Sequence, residues 1–294
     1  MKQSLTAYIE TYKTKVSLEM ERLVNQLDIP EQLKSAMRYS LEAGGKRLRP
    51  VLVFASHAAY SDQDSRVLST AAALEMIHTY SLIHDDLPAM DDDDYRRGKL
   101  TNHKVYGEAT AILAGDALLT YAFELLAADP LLQDREKVEL VNRLSKASGP
   151  KGMVAGQLLD MEAEQQPVTL EELEQIHIHK TGALLEFAVW AGAYLGGASE
   201  SELTHLQIFS RYLGLIFQVQ DDLLDEIGDP EKLGKPVGSD LANEKSTYPK
   251  LLGLEGAETQ KMRYVEKAKS ALAEANAADS HLMALTELIS RRDH

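Results

Sequence analysis

VLSTAAALEMIHTYSLIHDD, residues 67–86, runs for about five helical turns without glycine or proline and carries apolar side chains on every face. A helix apolar all round has no side to give to water, so this stretch predicts a central helix wrapped by others. Segments 107–128, 133–146, 170–196, 200–227 and 258–291 also read as helices by period and by their Ala, Leu, Glu and Met content. No stretch alternates apolar and polar residues between turn signals, so strands are not expected. The breaks are short: GG at 44–45, SGPKG at 148–152, GG at 196–197 and GDPEKLGKPVG at 228–238. The expectation is an all-α fold, one large helical domain over residues 1–294 with ten or more helices.

The chain of 294 residues carries 31 Lys and Arg against 46 Asp and Glu, a formal charge of −15. So negative a field argues against nucleic acid as a partner, and any anionic ligand would need metal ions or local basic clusters. With no cysteine, disulfides, thiolate catalysis and Cys-ligated metals are excluded, and the composition suits a reducing cytoplasm. The N-terminal MKQSLTAYIETYKTKVSLEM is too evenly charged for a signal peptide. No run is expected to reach the ~18–20 apolar residues of a membrane span.

Two acidic clusters carry the chemistry: HDDLPAMDDDDYRRG at 84–98 and QVQDDLLDEIGD at 218–229. Each follows an apolar run, where unpaired charge is expensive. In the second, Asp221 and Asp225 fall within about 40° of each other on a helix and ~6 Å apart along its axis, with Asp222 on the flank and Gln218 on the same face. Like charges so spaced repel unless a cation intervenes, and oxygen donors without His or Cys suit Mg²⁺. In the first, Asp85 and Asp91 lie about 240° apart on a continuous helix. Pro88 ends or kinks that helix near 85–87, so a turn can bring Asp91 back beside Asp85. Asp85, Asp86 and Asp91 are therefore the metal-ligand candidates, and Asp92, Asp93 and Asp94 are read as solvated or capping. The bland alternatives are an acidic loop for the first cluster and a solvated acidic helix end for the second.

The adjacent Arg96 and Arg97 suit either salt bridges or a diphosphate bound on its far side from metal. GGKRLRP (44–50) places Lys46 and Arg49 three apart beside a glycine pair, without the spacing of a nucleotide P-loop. Lys180 and Thr181 precede an apolar helix, and Lys235 and Lys245 flank a Gly/Pro-rich loop.

With GGKRLRP, EMIHTYSLIHDDLPAMDDDDYRRG, ATAILAGDALL, GQLLDM, HKTGALL, FQVQDDLLDEIGD and GKPVGSDLANEKSTYPKLLG in order, the chain resembles the trans (E)-prenyl diphosphate synthases, and within them the bacterial farnesyl diphosphate synthases. The resemblance spans about residues 40–252. It implies an all-helical isoprenoid-synthase fold, a homodimer, central helices around a deep apolar cavity, and Mg²⁺-dependent condensation of isopentenyl diphosphate with an allylic diphosphate. It implies three Mg²⁺ ions held by Asp85, Asp86, Asp91, Asp221, Asp222 and Asp225. Arg96, Lys180, Lys235 and Lys245 match residues on the allylic diphosphate, and Lys46, Arg49, His78 and Arg97 match the isopentenyl diphosphate site. Thr181 and Gln218 match groups lining the nascent cation, with Gln157 and Asp160 in support. By chemistry alone a lone His78 on an apolar helix is ordinarily a core residue.

On a helix Ser81 and Tyr80 sit ~6 Å and ~7.5 Å below Asp85. A phenol there is bulky enough to floor a pocket, and in the family an aromatic at that place goes with a C15 product. Farnesyl diphosphate is thus expected over the C20 alternative, geranylgeranyl diphosphate. A class I terpene cyclase would leave the Lys46/Arg49 block unexplained. A non-catalytic synthase subunit would be expected to lose one aspartate cluster.

Overall fold

The computed structural model describes residues 4–163, 166–227 and 246–292. Among these, the secondary structure is thirteen α-helices, a 3-10 turn (Asp64–Val67), a π-helical turn (Ile178–Gly182) and one hairpin of two-residue strands. The all-α expectation holds. The helices are α1 (Leu5–Asn25), α2 (Glu31–Leu41), α3 (Leu48–His57), α4 (Leu68–Asp85), α5 (Asn102–Tyr106), α6 (Glu108–Ala128) and α7 (Asp134–Ser148), followed by α8 (Met153–Ala163) and α9 (Leu170–His177). Then come α10 (Ala183–Gly196), α11 (Glu200–Ile227), α12 (Tyr248–Glu274) and α13 (His281–Arg291). The hairpin pairs β1 (Tyr95–Arg96) with β2 (Lys99–Leu100), Tyr95 opposite Leu100.

The chain forms two compact units, Met1–Phe54 with Gln63–Asn142, and Ala55–Asp62 with Arg143–His294. In the first, α4 is the central helix, packed chiefly on α6 and also on α1 and α2. Ala71 to Ile77 are all buried, so the stretch that is apolar on every face has partners on every face. Each fully buried Leu, Met or Ile in it is worth roughly 1.5–3 kcal/mol of transfer free energy. In the second unit α10 is almost wholly buried and packs on α11, which in turn carries α12 and α13.

Three details depart from the sequence expectation. Residues 170–196 are not one α-helix: a π-helical turn, Ile178–Gly182, joins α9 to α10. The segment expected as a helix over 258–291 is two helices. After α12, Asn276 turns left-handed (φ 55°), the Ala277 N–H bonds to Leu272 C=O (2.9 Å) and the Asn276 N–H to Ala273 C=O (3.1 Å). This is a Schellman stop with asparagine in the glycine role, and Ser280 then caps α13. Finally, α6 has the length and hydropathy of a membrane-spanning helix, contrary to the expectation that no run comes near one, and only a third of the qualifying stretch is buried.

Candidate active site

In the first unit, α4 delivers its acidic end to the surface. Pro88 stops the helix as expected, α4 ending at Asp85. The turn that follows brings Asp91 back, its N–H donating to the Asp85 carbonyl at 2.9 Å. Asp85 is half-buried and Asp91 exposed, both at the negative end of the α4 dipole. Carboxylates placed there gain most from a cation.

Asp86 behaves differently. It is 3% exposed and accepts a bond from Arg96 Nε at 2.5 Å. Burial raises its pKa to about 6 although Arg96 opposes the shift. Arg96 also reaches Asp93 (3.2 Å), and Asp94 pairs with Lys104 (2.6 Å). The acid run 92–94 is thus exposed and partly spent on local pairs, as the sequence suggested.

Beside this end of α4 lies a cluster of cations. Arg49 approaches His78 Nε2 through Nη1 at 3.3 Å. Burial, then the nearby Arg49, Arg97, Arg47 and Arg96, hold the His78 pKa well below its usual value, so the imidazole is neutral at pH 7. Burial lowers Arg49 to about 10, partly offset by Glu75, so it keeps its charge at neutral pH. Arg97 lies against the glycine pair, its guanidinium donating to Gly44 C=O. Lys46 is exposed at the rim.

The sequence reading missed what holds this cluster together. Arg47 is buried and pairs with Glu75 at 2.7 Å, both side chains almost fully enclosed. Glu75 Oε2 is buried without a hydrogen-bond partner, so its remaining charge is available to the neighbouring guanidiniums. A carboxylate inside an otherwise apolar helix was the signal. Further along, Tyr80 is buried, its phenol raised to about 12 by burial and then by Asp85. Its ring meets His84 edge-on at 5.7 Å. Ser81 is half-buried and donates to the His78 carbonyl (2.9 Å).

In the second unit, Lys180 and Thr181 sit on the π-helical turn, a form enriched at functional sites because it re-aims side chains within a helix. Lys180 Nζ donates to Asp160 Oδ2 on α8 at 2.5 Å, and Thr181 Oγ1 donates to Gln218 Oε1 on α11 at 3.0 Å. Gln157 is half-buried on the same α8.

Sequence spacing put Asp221, Asp222, Asp225 and Gln218 on one face of α11. The structure gives them different partners. Asp221 accepts a bond from Arg292 Nη2. Asp222 is buried and accepts the Tyr248 N–H at the start of α12 (2.9 Å), where the positive end of that helix favours it. Asp225 is buried as well. Lys235 and Lys245 lie outside the described residues.

Among the described residues, no three acidic or histidine side chains converge into a ready metal cage. The donors nonetheless fit a hard divalent cation: they are oxygens, they cluster at or near the C-terminal parts of two helices, and Asp221 has already drawn a guanidinium to itself.

The chain is similar to known proteins along nearly its whole length. The chain is 50% identical over 293 residues to the farnesyl diphosphate synthase of Geobacillus stearothermophilus, covering 99% of both chains. To that of Bacillus subtilis (strain 168) it is 49% identical over 296 residues, covering 100% of both. The geranylgeranyl pyrophosphate synthetase of Pyrococcus horikoshii superposes with a TM-score of 0.87 at 32% identity over 98% of each chain. The profile of the polyprenyl synthetase family matches residues 30–287, and the chain belongs to that family.

Proposed function

We propose that the chain condenses isopentenyl diphosphate with dimethylallyl or geranyl diphosphate to give (E,E)-farnesyl diphosphate and diphosphate. The observation that carries this reading is the grouping of Arg49 and Arg97 around His78, backed by the buried Arg47–Glu75 pair, a set of cations suited to a second anion beside the one the aspartates serve. A cyclase, which ionises one diphosphate, has no use for a second such site. The relatives named as farnesyl diphosphate synthases support the same reading, and both aspartate motifs are intact, unlike in a non-catalytic subunit.

Asp85, Asp86, Asp91, Asp221, Asp222 and Asp225 are the proposed metal-binding set, for three Mg²⁺ ions. When bound, Mg²⁺ would supply positive charge to the allylic diphosphate as its C–O bond breaks. Asp86, Asp221 and Asp222 enter this set already bonded to protein groups; by exposure Asp85, Asp91 and Asp221 are its outward members. Arg96, Lys180, Lys235 and Lys245 bind the allylic diphosphate in this reading. Arg96 and Lys180 are held meanwhile by Asp86 and Asp160, which keep the cations in place until an anion arrives. Thr181 donates its hydroxyl proton to Gln218, which leaves the oxygen lone pairs of Thr181 to face an allylic cation. Lys46, Arg49, His78 and Arg97 hold isopentenyl diphosphate, whose double bond attacks that cation. No side chain is an evident base for the departing proton, and the released diphosphate is the natural acceptor.

Tyr80 favours the C15 product; the geranylgeranyl reading is the alternative, since a C20 synthase shares the fold. In this reading the two units serve one catalytic domain in the cytoplasm. The chain is further proposed to be a homodimer, a second copy covering the outer stripe of α6, where Ile112 is 42% and Leu113 59% exposed. Sedimentation of Leu113→Glu as a dimer would remove α6 from that interface.

The deciding assay combines labelled isopentenyl diphosphate with each allylic primer, with and without Mg²⁺, and reads product carbon number. Incorporation into a C15 product is expected, and Asp85→Ala should lower turnover by orders of magnitude with the fold intact. No incorporation, or near-normal turnover of Asp85→Ala at saturating Mg²⁺, defeats the assignment.

A further inference from the structure

Arg292, directly after α13, is held by both its backbone and its side chain. Gln220 Nε2 donates to the Arg292 carbonyl at 2.8 Å, and buried Lys261 donates to Gln220 Oε1 at 2.7 Å from α12. This two-step clamp fixes the backbone of residue 292. Its side chain is then laid along α11, the guanidinium carbon 4.1 Å from the centre of the Phe217 ring. Nη2 donates to Phe217 C=O at 3.1 Å and to Asp221 Oδ1. The side chain of Arg292 is only 10% exposed, while that of Asp221 is 42% exposed.

We infer that Arg292 is a resident cation of the second aspartate motif, occupying Asp221 in the resting enzyme and giving it up when a metal–diphosphate complex binds. The inference rests on the reading that Asp221 belongs to a metal-binding motif. Three features make the contact exchangeable. One guanidinium nitrogen makes both hydrogen bonds, whereas Nε is buried with no acceptor, so the docked pose leaves a donor unsatisfied. Asp221 also opens to solvent, so an incoming ion can reach it before Arg292 has left. The clamp on the carbonyl does not depend on the guanidinium, so the side chain can swing away while the backbone stays tethered. Resting Asp221 is thereby spared an unpaired charge, and the metal must compete with a tethered guanidinium.

The test is Mg²⁺ binding to the full chain in the presence of inorganic pyrophosphate, followed by titration calorimetry. Arg292→Gln removes the competing charge and should tighten the weakest Mg²⁺ step about three- to tenfold, with Arg292→Lys in between. Unchanged or weaker binding by Arg292→Gln overturns the inference and leaves the metal site standing. Failure of both the unaltered and the variant chain to take up metal overturns the metal reading and this inference with it. In the unaltered chain, exchange of the buried Arg292 Nε–H with solvent, followed by NMR of arginine-labelled protein, should speed up several-fold when Mg²⁺ and pyrophosphate are added together. Unchanged protection would show that the guanidinium never leaves, and would equally overturn the inference.

Discussion

Gly156 of α8 is the position where one methyl group tests the geometry of the second unit most directly. A Cβ built there lies 2.1 Å from the backbone nitrogen of Lys180, and 2.6 Å from the carbonyl carbon of His179. Backbone cannot yield as a flexible side chain can. Relief to even 3.0 Å, the shortest separation real Cβ atoms show, requires α8 and the π-helical turn to part by about 0.9 Å. Asp160 lies one helical turn on, on the same face of α8, and holds Lys180 Nζ at 2.5 Å. One face thus both seats the turn and catches its ammonium. Gly156→Ala should cost about 1–3 kcal/mol through overpacking, a fall in Tm of roughly 2–12 °C. A displacement of about 1 Å at Lys180 and Thr181 should lower kcat/KM by ~10- to 100-fold in protein shown to be folded by circular dichroism. Gly214→Ala is the control, since its Cβ would meet Gly182 Cα at 3.1 Å and needs only a few tenths of an ångström. Its loss should be several-fold smaller. A folded Gly156→Ala enzyme with unaltered kcat/KM and Tm would refute both the close approach and the role given to the turn.

Tyr80→Ala should lengthen the product beyond C15, read by chromatography of the dephosphorylated alcohols; an unchanged C15 product would place the floor elsewhere. Glu75→Ala strands the buried Arg47 charge and should cost about 3–5 kcal/mol in urea unfolding, whereas Glu75→Leu with Arg47→Met should regain most of it. Equal losses in the single and double variants would contradict that account. Burial lowers the His177 pKa to about 4, with Asp160 opposing and Lys180 adding to the shift. The unfolded chain therefore binds this proton first, and stability is complete above about pH 6.5 and lost as pH falls toward 4, by up to about 3 kcal/mol. His177→Phe keeps the stack on Tyr248 (5.9 Å) and should lose that much less over the same window; parallel pH profiles would rule the group out.

The parts of the structure legible in sequence are those set by local periodicity. The stretch 67–86 reads as a central helix and Pro88 as its end or kink, and α4 does end at Asp85, with the turn that spacing allowed bringing the Asp91 N–H back to the Asp85 carbonyl. The breaks within helices were harder to see. AEANAADS is helix-favouring by composition, and Asn276 reads as a stop only because its short amide tolerates a left-handed turn. The π-helical turn gives no stop signal of its own, since IHKTG (178–182) has no proline and reads as one more turn between two helical stretches. Its trace lies instead in Gly156 and Gly214, glycines inside helices with no turn to make, which signal another backbone close by.

Charge partners were the other blind region, and for one reason. Helical spacing relates a residue to those three or four places away, but the partner of Glu75 is 28 residues off and that of Asp221 is 71. The spacing argument for the second motif was correct about direction and incomplete about occupancy. It placed carboxylates on one face of α11 and inferred a missing cation. The fold supplies part of that cation from the far end of the chain, and gives Asp222 to the amide end of α12 instead. A charge in an apolar helix therefore predicts that a partner exists without saying which. Of the two kinds of partner, Arg47 is walled in and permanent, whereas Arg292 faces a carboxylate still open to water. That difference in enclosure separates a counter-ion that builds the site from one that must yield before it works.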